Sequence, residues 1–426
     1  MAIASDPPKD SFRLSMLVYD TRFRSITIQL VVLLLFLAGL FWLINNAIVN
    51  LEVKGKDFNF SFLWSRAGYD INQTLIPYTN DDTHMRAIVI GLLNTLLVSI
   101  LGCILATILG TIVGVLRLSH NWLVARIMTV FVETFRNIPL LLWILLMGTI
   151  LAETRPLPKD FRVTEAMLAA GETPKASMWL FDTIAVTNRG TNIAKPAFTH
   201  SLGTFDPGFN LPISLNAVAI LAVLAASLFG WRALLRHAKA VQEATGVRPV
   251  TWWKSLLILF GPVTALLWAL GFYLDYPVVT RFDFTGGFQV LHPFTALLVA
   301  LTVYTASFIA EIVRGGILAI SRGQTEAAYA LGLRPGRTMS LVILPQALRV
   351  IVPPLISQFL NLTKNSSLAI AVSYIDLRGT LGGITLNQTG RELECMLLMM
   401  LIYLTISLVI SSLMNIYNNS IKLKER

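Results

Sequence analysis

The densest group of residues able to do chemistry lies inside an apolar stretch, 346–372: Gln358, Asn361, Thr363, Lys364, Asn365, Ser366 and Ser367. Polar side chains in such a stretch are costly, and they are kept where they bind something or pair with one another. The chemistry on offer is anion binding. Lys364 brings a full positive charge. Ser366 and Ser367, directly after Asn365, can cap a helix that breaks at 363–366 and restarts. That would aim free amides and the positive end of a helix dipole at a carboxylate. Helix–helix hydrogen bonding is the alternative use of the same residues.

Catalysis finds no footing. The five histidines (His84, His120, His200, His237, His292) are dispersed and show no metal-ligand spacing. Cys103 and Cys395 fall in apolar segments, where a thiol is a core filler. No Ser/His/Asp or Cys/His arrangement can be argued. No G-x-x-x-x-G-K-[ST] loop is present, and Gly332-Leu333-Arg334-Pro335-Gly336-Arg337-Thr338 has the wrong spacing and an arginine for the lysine. The sequence therefore predicts no catalytic residue, no metal and no cofactor, and any driven process must draw its energy from another chain.

The elements that hold these residues are set by composition. Of 426 residues, 55% are hydrophobic and 14% charged, against roughly 25% charge in a soluble domain. Such a chain needs a lipid bilayer as solvent for its apolar faces, with backbone polar groups satisfied inside helices. The net charge of +10 comes from basic residues beside apolar runs, which orients helices in a membrane and argues against nucleic acid. Eight segments are long and apolar enough to span: about 26–48, 88–116, 127–152, 213–235, 255–275, 293–313, 346–372 and 395–416. The first is too long for a signal-peptide core and lacks a cleavage site, which predicts an uncleaved helix. With eight spans the flanking cations all fall on one side, the cytosolic one. They are Lys9, Arg13, Arg22 and Arg24; Arg117 and Arg126; Arg236, Lys239, Arg248 and Lys254; Arg314, Arg322, Arg334, Arg337 and Arg349; and Lys422, Lys424 and Arg426. Both termini are then cytosolic. The opposite side carries long loops, 49–87 and 153–212, and the alternation over Met178–Val186 suggests a short strand.

Between the sixth and seventh spans, Arg314 to Pro345 reads as a helix, a break, a short helix and another break. Gly323 interrupts the first helix. Thr325 can cap the second, with Glu326 favourable at its positive end. Gly332 ends it, and Pro335-Gly336 forbids continuation. Ala327, Ala328 and Leu331 leave a small, smooth face suited to a partner's groove. Glu133 and Arg136, and again Glu311 and Arg314, are spaced to pair on one helical face.

Glu326-Ala327-Ala328, then Gly332, Val342 and Leu344-Pro345, resembles the EAA motif of ABC importer permeases, with Val342 where isoleucine is usual. Gly91-Leu92-Leu93-Asn94-Thr95-Leu96 resembles the start of the first core helix in the polar amino acid permeases. Glu133-Thr134-Phe135-Arg136-Asn137-Ile138-Pro139-Leu140-Leu141 resembles their E-x-F-R-x-x-P-L-L stretch. Tyr304, Glu311, Arg314 and Gly315-Gly316 resemble the stretch before the coupling loop, and Lys364-Asn365-Ser366-Ser367-Leu368 resembles K-D-[ST]-S-L with asparagine for the acid.

The resemblance implies an all-α polytopic fold with a type I, MetI-like permease core. The core would comprise 88–152 and 293–426. Residues 1–87 would precede it as a cytoplasmic tail, a first span and a periplasmic segment, and 153–292 would be an insertion with a periplasmic loop and two extra spans. The resemblance also implies that Glu326, Ala327, Ala328, Leu331 and Gly332 couple to an ATPase. Gln358, Asn361, Lys364, Asn365, Ser366 and Ser367 would line a pathway for polar L-amino acids in a bacterial inner membrane. The implied partners are a second permease subunit, two ATP-binding subunits and a periplasmic amino-acid-binding protein. Asparagine at 365 removes an anion, which implies acceptance of acidic or amide side chains over cationic ones. An ion-driven secondary transporter is the alternative. It would need an ion site and inverted repeats, and neither is visible in the sequence.

Overall fold

The computed structural model describes residues 21–53, 55, 57–163, 173–208, 212–280 and 282–421. Lys9, Arg13, Lys422, Lys424 and Arg426, expected on the cytosolic side, lie outside them. The chain divides after Phe62 into two units. The first unit contains one long helix, α1 (Thr21–Val53), apolar on every face.

The second unit is built around α2 (His84–Leu116) and α7 (His292–Leu318), the two most extensively packed helices. Gly102, Ala106, Gly110 and Gly114 recur every four residues and line one face of α2. A Cβ on Gly110 would lie 2.7 Å from Ile309 Cβ and 2.8 Å from the Ala306 carbonyl. One on Gly114 would lie 2.6 Å from the Ala310 carbonyl. Only a bare backbone fits there, as at small-residue seams between membrane helices. Val98, Ala106, Leu297, Leu301, Ile309 and Val313 fill the core around the seam.

The third expected span is two helices, α3 (Trp122–Asn137) and α4 (Leu140–Glu153), bent by 105°. Pro139 explains the break: it pushes Ile138 into an extended conformation (φ −99°, ψ 133°) and itself starts the next helix. The pair still crosses once. α2 and α7 run parallel, so the chain must traverse the bundle an odd number of times between them. Helices α5 (Leu215–Thr245) and α6 (Trp252–Ala269) form a hairpin that leaves from and returns to one end. Counting the bent pair as one, eight helical segments among the described residues are long and apolar enough to span.

The insertion is not all-α. Among the described residues it carries nine short strands, β1 (Ile184–Val186), β2 (Gly190–Ile193), β3 (Lys195–Phe198), β4 (Thr204–Phe205), β5 (Ile213–Ser214), β6 (Phe272–Asp275), β7 (Val278–Val279), β8 (Phe284–Thr285) and β9 (Phe288–Leu291). They form antiparallel pairings β1-β2-β9, β3-β6, β4-β5 and β7-β8. Of the expected Met178–Val186 strand only Ile184–Val186 forms, with Trp179 bridging Ile184. The Thr187 carbonyl accepts a bond from the His292 ring, fastening this sheet to the first turn of α7.

After α7 come α8 (Arg322–Ala330), a turn at Pro335–Thr338, a π-turn at Met339–Ile343, α9 (Leu344–Asn365), a 3₁₀ stretch to Val372, an irregular helical segment Arg378–Thr389 and α10 (Glu392–Ile421).

Replacing Gly114 by leucine should force α2 and α7 apart and cost about 1–3 kcal/mol or more. Gly261→Leu, in α6 with only Leu257 near it, should change little. Thermal unfolding of the detergent-solubilised protein compares the two, and equal midpoints would refute the seam.

Candidate functional site

Helix α8 is the protruding knob. Its start differs from expectation: Ser321 occupies the N-cap position, so Gly323 and Thr325 are inside the helix. Gly323 and Thr325 therefore neither break nor cap it. A glycine within the first turn lies where backbone N–H groups have no intrahelical partner in any case. The far end is as the sequence suggests. Gly332 has φ +74°, its N–H reaches the Tyr329 carbonyl, and the Leu333 N–H reaches Ala328. These two bonds are a Schellman stop, and a left-handed residue is what makes it possible. Pro335 then opens the next helical turn.

Glu326, Ala327, Leu331 and Gly332 face outward, Leu331 at 83% exposure. Ala328 does not: it is 3% exposed and turned toward the chain's own following turns, so its smallness serves internal packing. The Gln346 side-chain amide bonds to Gln324, tying the knob to the first turn of α9.

Along α9 the expected site residues separate. Ser357, Asn361 and Lys364 form an exposed stripe; Gln358, Asn365 and Ser367 are half-buried; Ser366 is fully buried. Among the described residues Lys364 makes no ion pair. Its depth is set by Leu362, which packs on Gly102, about 21 Å from the end of α2 at 1.5 Å per residue. That is near the middle of the bundle.

The expected helix break at 363–366 does not occur. Ser366 Oγ donates to the Thr363 carbonyl and Ser367 Oγ to Lys364, so both serines bond backward and cap nothing. The helix tightens and runs to Ser373, which adopts φ +61°. The restart comes at Asp376, whose carboxylate accepts the Gly379 N–H at 2.9 Å and the Tyr403 hydroxyl at 3.3 Å. The Gly379 amide is thus capped by the protein's own acid, and the Leu377 amide is taken by Thr95. Aspartate is a preferred N-cap residue, and that residue type was the local signal in the sequence.

Gly91, Asn94 and Thr95 form the socket for this turn. A Cβ on Gly91 would lie 2.8 Å from the Asp376 carbonyl. Asn94 donates to the carbonyls of Gln73 and Ile375 at 2.9 Å each, and the Leu377 N–H donates to Thr95 Oγ1 at 3.0 Å. Tyr69, in the segment preceding α2, reaches Thr385 through its hydroxyl, and burial pushes that phenol's pKa up.

At the opposite end of α2, Glu311 gathers three arginines. Arg314 holds it at 2.5 Å, Arg117 forms a close ion pair with it, and Arg136 lies 4.0 Å away with its guanidinium over Phe308. The Glu311–Arg314 pair matches the spacing argument. Glu133 and Arg136 do not pair; Glu133 accepts from Asn137 instead. Arg117 was not foreseen, because it is 194 positions from its partner.

The pattern of the family described as binding-protein-dependent transport system inner membrane component matches residues 247–423. The chain is 84% identical, over the whole of both chains, to the glutamate/glutamine/aspartate/asparagine transport system permease protein of Rhodobacter capsulatus. The chain belongs to this family of ABC transporter permeases. It is 40% identical to the general L-amino acid transport system permease protein of Rhizobium johnstonii, over 98% of this chain and 96% of the relative. A putative amino-acid ABC transporter permease of Escherichia coli is also 40% identical, over 90% and 91%. A permease of this kind is a multi-pass inner-membrane transport component that works with ATP-binding subunits and a substrate-binding protein. ATP is hydrolysed in a separate subunit.

In the permease, Glu311→Gln would leave three guanidinium groups around a neutral amide. At a half-buried site this should cost about 1–3 kcal/mol. Glu133→Gln, on an exposed face, should stay within about 0.5 kcal/mol. Chemical denaturation of the two variants checks the difference; equal losses would show that Glu311 is not the keystone.

Proposed function

We propose that this permease carries polar L-amino acids, chiefly glutamate, glutamine, aspartate and asparagine, from periplasm to cytosol, and that it pairs with a second, different permease subunit. The observation that carries this reading is the uncovered Ser357–Asn361–Lys364 stripe at mid-depth in a membrane-spanning helix. A lysine there cannot face lipid at tolerable cost, so it faces a hydrated path or another subunit. The substrate range follows the transport systems named for the relatives at 84% and 40% identity. The core division into 88–152 and 293–426 is supported by the packing of α2, α3 and α4 on α7.

ATP binding draws the two ATPase subunits together. The outward face of α8, with Glu326, Ala327, Leu331 and Gly332, rides on that motion, and the bundle turns from inward- to outward-facing. Substrate delivered by the binding protein then passes Gln358, Asn361, Lys364, Asn365 and Ser367. Ser366, fully buried, supports the path from behind.

Two measurements test this. Leu331→Asp should leave stability within about 0.5 kcal/mol, since the side chain touches little, yet reduce substrate-stimulated ATP hydrolysis by the assembled transporter about tenfold or more. Unchanged stimulation would remove α8 from the coupling path. Asn365→Asp adds an anion beside Lys364 and should raise arginine uptake relative to glutamate several-fold. An unaltered ratio would dismiss the role given to residue 365.

A further inference from the structure

The stripe on α9 does not end at Lys364. Ser367 lies one turn further along, and its Oγ bonds back to the Lys364 carbonyl at 2.7 Å. The carbonyl of the same Ser367 accepts Nη1 of Arg378 at 3.1 Å. Arg378 is exposed and reaches across from the segment that restarts after Asp376. Its guanidinium is thereby held at the backbone of Ser367, one turn beyond Lys364.

Cations outnumber acids there. From Pro345 to Arg391 the sequence holds four cations, Arg349, Lys364, Arg378 and Arg391, and one acid, Asp376. Asp376 is fully buried and occupied with the Gly379 N–H and the Tyr403 hydroxyl. Among the described residues neither Lys364 nor Arg378 has a carboxylate within ion-pair distance. Lys364, and Arg378 bonded to Ser367 one turn further along, are two cations beside serine and asparagine and suit two anionic groups. One bond to Ser367 leaves most of the guanidinium fork free, and a fork matches a carboxylate with two parallel bonds.

We infer that Arg378 is a specificity-determining residue of the permease: it receives the side-chain carboxylate of an acidic amino acid while Lys364 faces the α-carboxylate. This rests on the proposed pathway and names its substrate class. A side-chain amide offers the fork one neutral acceptor in place of a charged pair, which corresponds to a preference of about tenfold for the acid over the amide. A cationic side chain meets two like charges and is rejected.

The test uses the complete transporter in proteoliposomes, with binding protein saturated by glutamate or by glutamine. The readout is the ratio of the two initial uptake rates, in which the amount of folded transporter cancels. Arg378→Gln should lower the glutamate-to-glutamine ratio about tenfold. Arg378→Lys keeps the charge without the fork and should lower it by a smaller factor. It also gives the answer where the glutamine variant yields no measurable uptake. A ratio unchanged in Arg378→Gln, or in Arg378→Lys where only that variant transports, overturns the assignment. Lys364→Gln with Asn361→Ala separates the pathway from the role of Arg378. If that double variant transports both substrates at the parental rate, the pathway itself falls. If it impairs both while Arg378→Gln leaves the ratio unchanged, only the role of Arg378 is lost.

Discussion

Four small residues spaced by four on α2 decide how closely two helices approach, and the rest of the site takes its dimensions from that approach. Lipid tails solvate leucine as well as protein does, so helices in a bilayer associate through close packing and not through burial from water. Gly110 and Gly114 let α2 meet the α7 backbone at Ala306 and Ala310. With the axes that close, Arg117 at the end of α2 comes within reach of Glu311. Higher up, Gly102 receives Leu362, and this one contact fixes the height at which Lys364 stands. At the top, Gly91 admits the Asp376 turn. A single helix face thus sets the position of the ion-pair cluster, the polar stripe and the restart.

What the sequence made legible was whatever depends on local composition and spacing. Apolar length predicts the spans, and all eight have helical counterparts. Gly332 and Pro335 mark the end of the knob because a left-handed residue and a missing N–H are local facts. The misreadings are places where a local signal has two physical outcomes. Ser366 and Ser367 can cap a helix or bond backward onto it. Here the helix continues, and the capping role goes to Asp376, ten residues on. Residues 127–152 are apolar enough to read as one span, yet Pro139 divides them. Ala328 belongs to a recognisable motif, but motif membership does not tell which side of a short helix faces a partner.

Long-range electrostatics was the least legible level. Arg117 and Glu311 are separated by the whole insertion, and nothing in their neighbourhoods announces the other. Beyond Ile184–Val186, the end of the alternation at Met178–Val186, the strands of the insertion were illegible for a related reason. They are two to four residues long, too short to show a period of two, and β2 finds its partner β9 almost a hundred positions away. The α2–α7 packing and the His292–Thr187 bond help bring those ends together.

The same contacts bear on how force entering at the knob reaches the stripe. Helix α8 hangs between α7 and α9 by short connections, and the Gln324–Gln346 bond closes it against α9. Gly316, near the end of α7, has Ile351 of α9 pressed against the space a Cβ would take. A displacement of α8 therefore cannot move α9 alone; it must carry the end of α7 with it. That end is where Glu311 holds Arg117 and Arg314, so α2 moves as well. The stripe rides on α9, about two dozen residues from the knob; after the Gly332 stop the path is helical from Pro335 on, with a π-turn at Met339–Ile343. A π-turn is one weak point of such a rod, and the Pro353–Pro354 pair inside α9, which removes two backbone donors, is another. A bend at the π-turn lies below the α7 contact at Ile351. The stripe then keeps its geometry while its exposure to either side of the membrane changes.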